Sequence, residues 1–251
     1  MLLLVDAGNT RVKWALARAD AALGDWVASG AALHADLDGL AGEWDAFQAT
    51  RAIVSNVAGI GVRERLAAVL GPIDTEWFAS SAERAGLVNG YREPARLGCD
   101  RFAAAIGARA LAPGQALVVA TCGTATTVDA VSADGHFLGG MILPGLALMA
   151  GALARNTAQL PDAVADAAPP ALFADNTHDA IVSGCLSAQA GAIERAVAGH
   201  GGAACMLSGG AAPFIAPALQ VAHKLVENIV LVGLHAAARA DAAQKNGQHG
   251  S

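Results

Sequence analysis

Two stretches decide how this chain is to be read: LLLVDAGNTRVKWAL, Leu2 to Leu16, and ALVVATCGTATTVDAV, Ala116 to Val131. In the first, Leu2 to Val5 is a short apolar run. Asp6-Ala7-Gly8-Asn9-Thr10 has turn chemistry, and Val12 to Leu16 resumes an apolar strand. In the second, Ala116 to Ala120 is the apolar run, Thr121-Cys122-Gly123-Thr124 the turn and Thr126 to Val131 the return strand. The echo is a duplication of architecture rather than a short tandem repeat. It predicts two α/β units, each opening with strands joined by a glycine turn and continuing into helices.

Working outward, a third strand is expected near Trp26 to Ala32 and a helix from Leu37 to Phe47, where Leu37, Leu40, Ala41, Trp44 and Phe47 keep helical spacing. Ala52 to Val57 reads as a buried strand. Arg63 to Leu70 reads as a helix stopped by Gly71-Pro72, and Glu76 to Phe78 as a last strand. Ser80 to Gly98, with Gly86, Gly90 and Pro94, reads as a loop or lid, and Asp100 to Leu111 as a helix. In the second half His136 to Leu143 is a strand and Pro144 is expected to open a helix reaching Thr157. Helices over Asp179 to Val197 and Ile229 to Ala240, and a strand over Cys205 to Leu207, complete the pattern. The boundaries predicted are 1–113, 114–243 and a mobile tail over 244–251.

Composition narrows the function classes. The chain has 251 residues, 54% hydrophobic and 15% charged, with a formal net charge of −6. This is core-rich globular sequence, and the acidic balance with scattered basic residues argues against a nucleic-acid partner. The mean hydropathy of +0.42 comes largely from alanine. The longest uncharged stretches are broken by Pro113, Gly114 and Gln115, and by Gly139, Gly140, Pro144 and Gly145, so no membrane span is expected. The opening MLLLVDAGNT does not read as a signal peptide. Cys99, Cys122, Cys185 and Cys205 are dispersed without metal-ligand spacing, which points to free thiols in a reducing cytoplasm and to no structural zinc.

Four constellations carry candidate chemistry. An Asp closing a strand, as Asp6 does, can hold hydrated Mg²⁺. Gly8 lets backbone N–H groups approach phosphate oxygens, Asn9 and Thr10 add donors and Lys13 adds charge. The same residues also make an ordinary hairpin turn. Gly123, Thr124, Ala125, Thr126 and Thr127 suit a β- or γ-phosphate, or simply a Thr-rich strand. In Ser208-Gly209-Gly210 a glycine pair allows a flat base or ribose to lie on the backbone, although such sequence is common in loops. In Leu97-Gly98-Cys99-Asp100-Arg101, Asp100 reads either as a helix cap or as a base taking a hydroxyl proton, with Arg101 able to hold a carboxylate. There is no Walker loop, and no helix follows the first turn as a dinucleotide fingerprint requires.

Taken together these residues resemble the type III pantothenate kinases, a family of the actin, hexokinase and acetate-kinase superfamily. The resemblance runs nearly end to end: DAGNTRVK at Asp6 to Lys13, Tyr91 with Pro94 and then LGCDR at Leu97 to Arg101, and GTATTVD at Gly123 to Asp129. It continues through Gly135-His136-Phe137-Leu138-Gly139-Gly140, ILPGLALM at Ile142 to Met149, Leu160-Pro161, Asn176-Thr177 and Ser208 to Gly210. It implies two tandem ribonuclease H-like (actin-like ATPase) domains of α/β class, each a mixed sheet flanked by helices, with the active-site cleft between them. It also implies ATP-dependent phosphorylation of pantothenate to 4′-phosphopantothenate, the first committed step toward coenzyme A, in a cytoplasmic homodimer.

The implied roles follow residue by residue. Asp6 positions Mg²⁺–ATP, with Gly8, Asn9, Thr10 and Lys13 around its phosphates. Gly123 and Thr124 form the second phosphate turn, and Ser208, Gly209 and Gly210 complete the nucleotide site. Asp100 is the general base. Tyr91, Gly98, Arg101 and Thr177 line the pantothenate pocket. One departure stands out: the family usually places an Asp two residues before the second-turn glycine, serving potassium or ammonium, and here that residue is Thr121. The expectation is a weakened or altered monovalent-cation dependence. Two other readings keep the superfamily: a kinase for another small hydroxy acid or a sugar, and a non-catalytic ATP-gated regulatory protein. Arg101 beside Asp100 favours a carboxylate substrate over a neutral sugar.

Overall fold

A computed structural model describes residues 1–18, 20–157, 160–161 and 169–248. Among them the chain divides into two compact units. The first comprises Met1–Pro113 with 135–137 and the segment from Asn228; the second comprises Gly114–Asp134 and Leu138–Glu227.

In the first unit β1 (Leu2–Ala7), β2 (Arg11–Ala17), β3 (Ala28–Leu33), β4 (Arg51–Asn56) and β5 (Asp74–Trp77) form a sheet in the order β3-β2-β1-β4-β5. The first three strands run antiparallel to their neighbours, whereas β4 lies parallel to β1 and β5 parallel to β4. The central strands are continuous apolar runs because both faces are covered: Leu3, Leu4, Val5, Ile53 and Val54 are fully buried. A 3-10 turn (His34–Gly39), α1 (Leu40–Ala46) and α2 (Ile60–Leu70) follow the strands. The single helix expected over 37–47 is thus split at Gly39, although Leu37, Leu40 and Trp44 are buried as their spacing predicts.

The 80–98 segment contains structure that its sequence does not announce. Short strands β6 (Glu83–Arg84) and β7 (Leu87–Asn89) form a hairpin whose turn residues Ala85 and Gly86 both have positive φ. Such turns usually take Asn-Gly or Asp-Gly, so alanine hid the signal. A 3-10 turn (Pro94–Arg96) then leads to α3 (Cys99–Leu111).

In the second unit β8 (Leu117–Cys122), β9 (Ala125–Val131), β10 (His136–Pro144, its first two residues counted with the first unit), β11 (Ala204–Ser208) and β12 (His223–Leu225) take the order β12-β11-β8-β9-β10. Read from its own first strand, this is the order of the first unit again. β9 is antiparallel to β8, and β11 and β12 continue parallel. Helices α4 (Leu146–Asn156), α5 (Thr177–Gly199) and α6 (Ala212–Ile215) belong to this unit. Pro144 ends β10 instead of opening α4, because Gly145 is the N-cap and spends its N–H on the Thr124 carbonyl, 2.9 Å away.

The last helix, α7 (Ile229–Gln248), runs past the Ile229 to Ala240 span expected for it within a second half ending at 243 and followed by a mobile tail. It belongs instead to the first unit, and residues 244–248 continue the helix, while 249–251 lie outside the described residues. The reason lies in two glycines. A Cβ on Gly233 would overlap the Ala103 carbonyl, and one on Gly107 would lie 2.6 Å from the Ile229 carbonyl oxygen. Without side chains there, α3 and α7 pack backbone to backbone. Among the described residues no helix is long and apolar enough to cross a membrane.

Candidate active site

The end of β1 gathers charge. Its register sets Asp6 opposite Lys13 on β2 and opposite Ser55 on β4. Paired residues share a face of a sheet, so a carboxylate, an ammonium and a buried hydroxyl stand together. Asp100, in the first turn of α3, adds a second carboxylate where the helix dipole favours negative charge. Burial first and the Asp100 carboxylate second push the Asp6 carboxyl up to about 7, against the pull of Lys13. Burial also raises Asp100, opposed by the Arg101 N–H and guanidinium. Asp100 Oδ1 accepts that N–H at 2.8 Å.

The two residues before Asp100 are closely packed. A Cβ on Gly98 would lie 2.7 Å from Asp100 Oδ1, so glycine leaves the room the side chain occupies. Cys99 Sγ sits 3.4 Å from Ser55 Oγ and 3.6 Å from the Asn56 carbonyl oxygen. Burial holds its pKa up, so the thiol and not the thiolate is present.

Arg101 is nearly buried, at 6% exposure. Its Nη1 donates to the Tyr91 hydroxyl at 3.1 Å, and its guanidinium lies 5.7 Å from the Tyr91 ring centroid and 5.8 Å from that of Phe137. The loop carrying Tyr91 is organised by Asn89, whose amide donates to the carbonyls of Ser81 and Pro94 and whose Oδ1 accepts the Tyr91 N–H. Asp6, Lys13, Asp100, Arg101, Gly98 and Tyr91 thus lie in one unit, together with the Gly8-Asn9-Thr10 turn. In that turn the Gly8 N–H donates to the Arg11 carbonyl at 3.2 Å.

The second unit holds the rest of the sequence-predicted set. Thr121 pairs with Thr127 on β9 and Ser208 on β11, in the register that Asp6 has with Lys13 and Ser55. The Gly123 N–H donates to the Ala125 carbonyl at 3.0 Å. Gly209, with φ of +97°, packs where a Cβ would overlap the Cys122 carbonyl, whereas Gly210 faces open space. Thr177 opens α5, behind an Asn176 cap that accepts the Asp179 N–H at 2.9 Å. Cys122 is buried in the core and its thiol is pushed up to about 12.

A family profile described as type III pantothenate kinase matches residues 2–199. Two bacterial relatives named type III pantothenate kinase match nearly end to end. One, from Herminiimonas arsenicoxydans, is 57% identical over 251 residues, covering 95% of this chain and 97% of the relative. The other, from Janthinobacterium sp. (strain Marseille), is 54% identical over 253 residues, again 95% and 97%. The chain belongs to the type III pantothenate kinase family.

Solved structures are similar in architecture at lower identity. A protein described as a Baf family transcriptional activator from Campylobacter jejuni has a TM-score of 0.61 at 19% identity, covering 98% of this chain and 99% of that one. The activator of 2-hydroxyisocaproyl-CoA dehydratase from Clostridium difficile, with bound ADPNP, has a TM-score of 0.55 at 14% identity, covering 100% and 98%. At these identities the likeness speaks for the fold alone, two tandem α/β units of the actin-like kind. Sequence reading gave no site role to three residues that the fold sets beside the two turns and the Tyr91 loop: His34, Asn89 and Gly145. Gly145 had a legible signal in Pro144-Gly145. The other two had none, because their partners are defined only by the folded loop and sheet.

Proposed function

We propose that this type III pantothenate kinase transfers the γ-phosphoryl group of ATP to the hydroxyl of pantothenate, yielding 4′-phosphopantothenate and ADP for coenzyme A synthesis. The observation that carries the reading is the juxtaposition of Asp6 and Asp100 in one unit, with Arg101 following directly on Asp100. The two carboxylates take different work. Asp100 accepts the proton of the attacking hydroxyl, whose oxygen forms the new P–O bond as the bond to ADP breaks. Asp6, whose charge is opposed by burial and by Asp100, is relieved by a hard cation, and its carboxylate oxygens suit Mg²⁺. Bound Mg²⁺ neutralises phosphate charge. Gly8, Asn9, Thr10 and Lys13 in the first unit, and Gly123, Thr124, Ser208, Gly209 and Gly210 in the second, serve the nucleotide. Tyr91, Gly98, Arg101 and Thr177 serve pantothenate.

Thr121 supplies a neutral hydroxyl where the family resemblance leads one to expect a carboxylate, and it supports a weaker response to potassium or ammonium. A homodimer in the cytoplasm completes the reading, and size-exclusion chromatography with light scattering tests the dimer. The activity itself is tested by ADP release from Mg²⁺–ATP with and without pantothenate. Pantothenate-dependent release is expected; equal release without it, or none, overturns the assignment. Asp100→Asn should lower kcat by roughly 10²- to 10⁴-fold while Mg²⁺–ATP still binds, and unchanged turnover removes Asp100 from the role of base.

A further inference from the structure

His34 lies 26 residues from the first glycine turn in sequence, yet its Nε2 is 2.8 Å from the Gly8 carbonyl oxygen. A carbonyl oxygen only accepts, so Nε2 carries the proton and donates. His34 is itself held from below. Arg65 on α2 donates to the carbonyls of His34 and Ala35 and to the Asp38 carboxylate. A chain of hydrogen bonds therefore runs from α2 through the 3-10 turn to the glycine turn.

The turn does not need this bond to close. The β1–β2 ladder pairs every residue from Leu2 to Ala7, and Gly8 N–H already meets the Arg11 carbonyl. What the bond does fix is the direction of one peptide. In a trans peptide the C=O and the following N–H point in opposite directions. Holding the Gly8 carbonyl toward His34 therefore aims the Asn9 N–H away from it. Asn9 is exposed, and among the described residues its N–H has no acceptor. In the second unit a turn carbonyl is also held, one position later in the turn, by the Gly145 N–H on the Thr124 carbonyl.

We propose that His34 is a positioning residue for the nucleotide: by holding the Gly8 carbonyl it presents the Asn9 N–H to a phosphate oxygen of ATP. The inference rests on the reading of Gly8-Asn9-Thr10 as a phosphate turn. The test compares the full-length wild-type protein with His34→Ala and His34→Gln. The glutamine amide can replace the Nε2–H donor. Steady-state kinetics give KM for ATP and for pantothenate, calorimetry gives Kd for Mg²⁺–ATP, and thermal melting gives Tm.

His34→Ala should raise KM and Kd for ATP by about 10-fold, the scale of one well-placed hydrogen bond. KM for pantothenate should stay within about 2-fold, Tm should be nearly unchanged, and His34→Gln should recover most of the ATP affinity. An unchanged ATP affinity in His34→Ala overturns the inference. So does a parallel loss for both substrates with a fallen Tm, or a failure of His34→Gln to recover affinity. If the wild type neither binds Mg²⁺–ATP nor releases ADP, the phosphate-turn reading falls and takes this inference with it. A working wild type with an indifferent His34→Ala defeats this inference alone.

Discussion

The two glycine turns sit at the same place in two sheets of the same order, and they are built from different materials. In the first unit Asp6 faces Lys13 and Ser55 across the ladder, and in the second Thr121 faces Thr127 and Ser208. One turn is charged and the other carries only hydroxyls. The charged turn is held by a side chain, His34, and its glycine is conformationally ordinary: a Cβ on Gly8 would stand 3.5 Å from the Arg11 oxygen, a normal contact. The neutral turn is clamped by backbone, with Gly145 against Gly123 and Thr124 and Gly209 against Cys122, where no Cβ fits. Duplication preserved the scaffold while charge went to one copy and steric closure to the other.

The sharpest way to break this comparison is to remove the charge. Asp6→Asn should lower kcat/KM by about 10²- to 10³-fold, the cost of losing one preorganised electrostatic group, while Thr121→Val, which removes only a hydroxyl, should cost far less. Equal losses would mean that the two strand ends do equivalent work.

The same carboxyl predicts a pH dependence. Its folded-state pKa of about 7 lies above its unfolded value, so the folded protein holds a proton that the unfolded chain has lost. The stability contributed by Asp6 is present below the unfolded pKa and lost as pH rises through about 7. Mg²⁺–ATP binding runs the other way, because the ionised form attracts the cation, and affinity should strengthen as pH rises from 6 to 8. Asp6→Asn should flatten both profiles, measured by thermal melting and by calorimetry. A binding profile that stays steep in Asp6→Asn would assign the titration to another group.

Steric closure gives the next effect. Gly145 has φ of −67°, a conformation any residue adopts, so only the closeness of the Gly123 and Thr124 carbonyls forbids a side chain. Gly145→Ala must move backbone and should cost about 2–3 kcal/mol, a fall in Tm of roughly 5 °C or more. Gly8→Ala should leave Tm within about 1 °C. If Gly8→Ala nevertheless loses ATP affinity, the methyl meets the ligand and not the fold.

Much of this contrast was legible in sequence. Alternating apolar runs around Gly8 and Gly123 announced the paired strands, and the Asp6/Thr121 difference is visible by alignment of the two stretches. The docking of α7 was not legible, because Gly233 declares its purpose only when Ala103 lies against it. The 83–89 hairpin hid behind Ala85, a residue that seldom takes positive φ. His34 was silent for a related reason: a histidine acquires meaning here through a carbonyl 26 positions away, and no local pattern encodes that distance. Local chemistry survives in one-dimensional reading, whereas close approach between distant segments does not.

The smallest expected effect tests whether the neutral turn can be made to resemble the charged one. Thr121→Asp places a carboxylate beside Thr127 and Ser208, two oxygen-bearing side chains in register with it. Oxygen ligands with one negative charge suit a monovalent cation better than three neutral hydroxyls do, because the charge adds a Coulomb term that the hydroxyls lack. Wild-type activity should therefore change little between potassium and sodium buffers. Thr121→Asp should acquire a saturable activation by potassium of a few-fold, with Tm rising slightly as potassium is added because binding stabilises the folded state. A strong potassium activation already present in the wild type would mean that neutral oxygens suffice at this position, and that the difference between Asp6 and Thr121 is one of phosphate handling and not of cation choice.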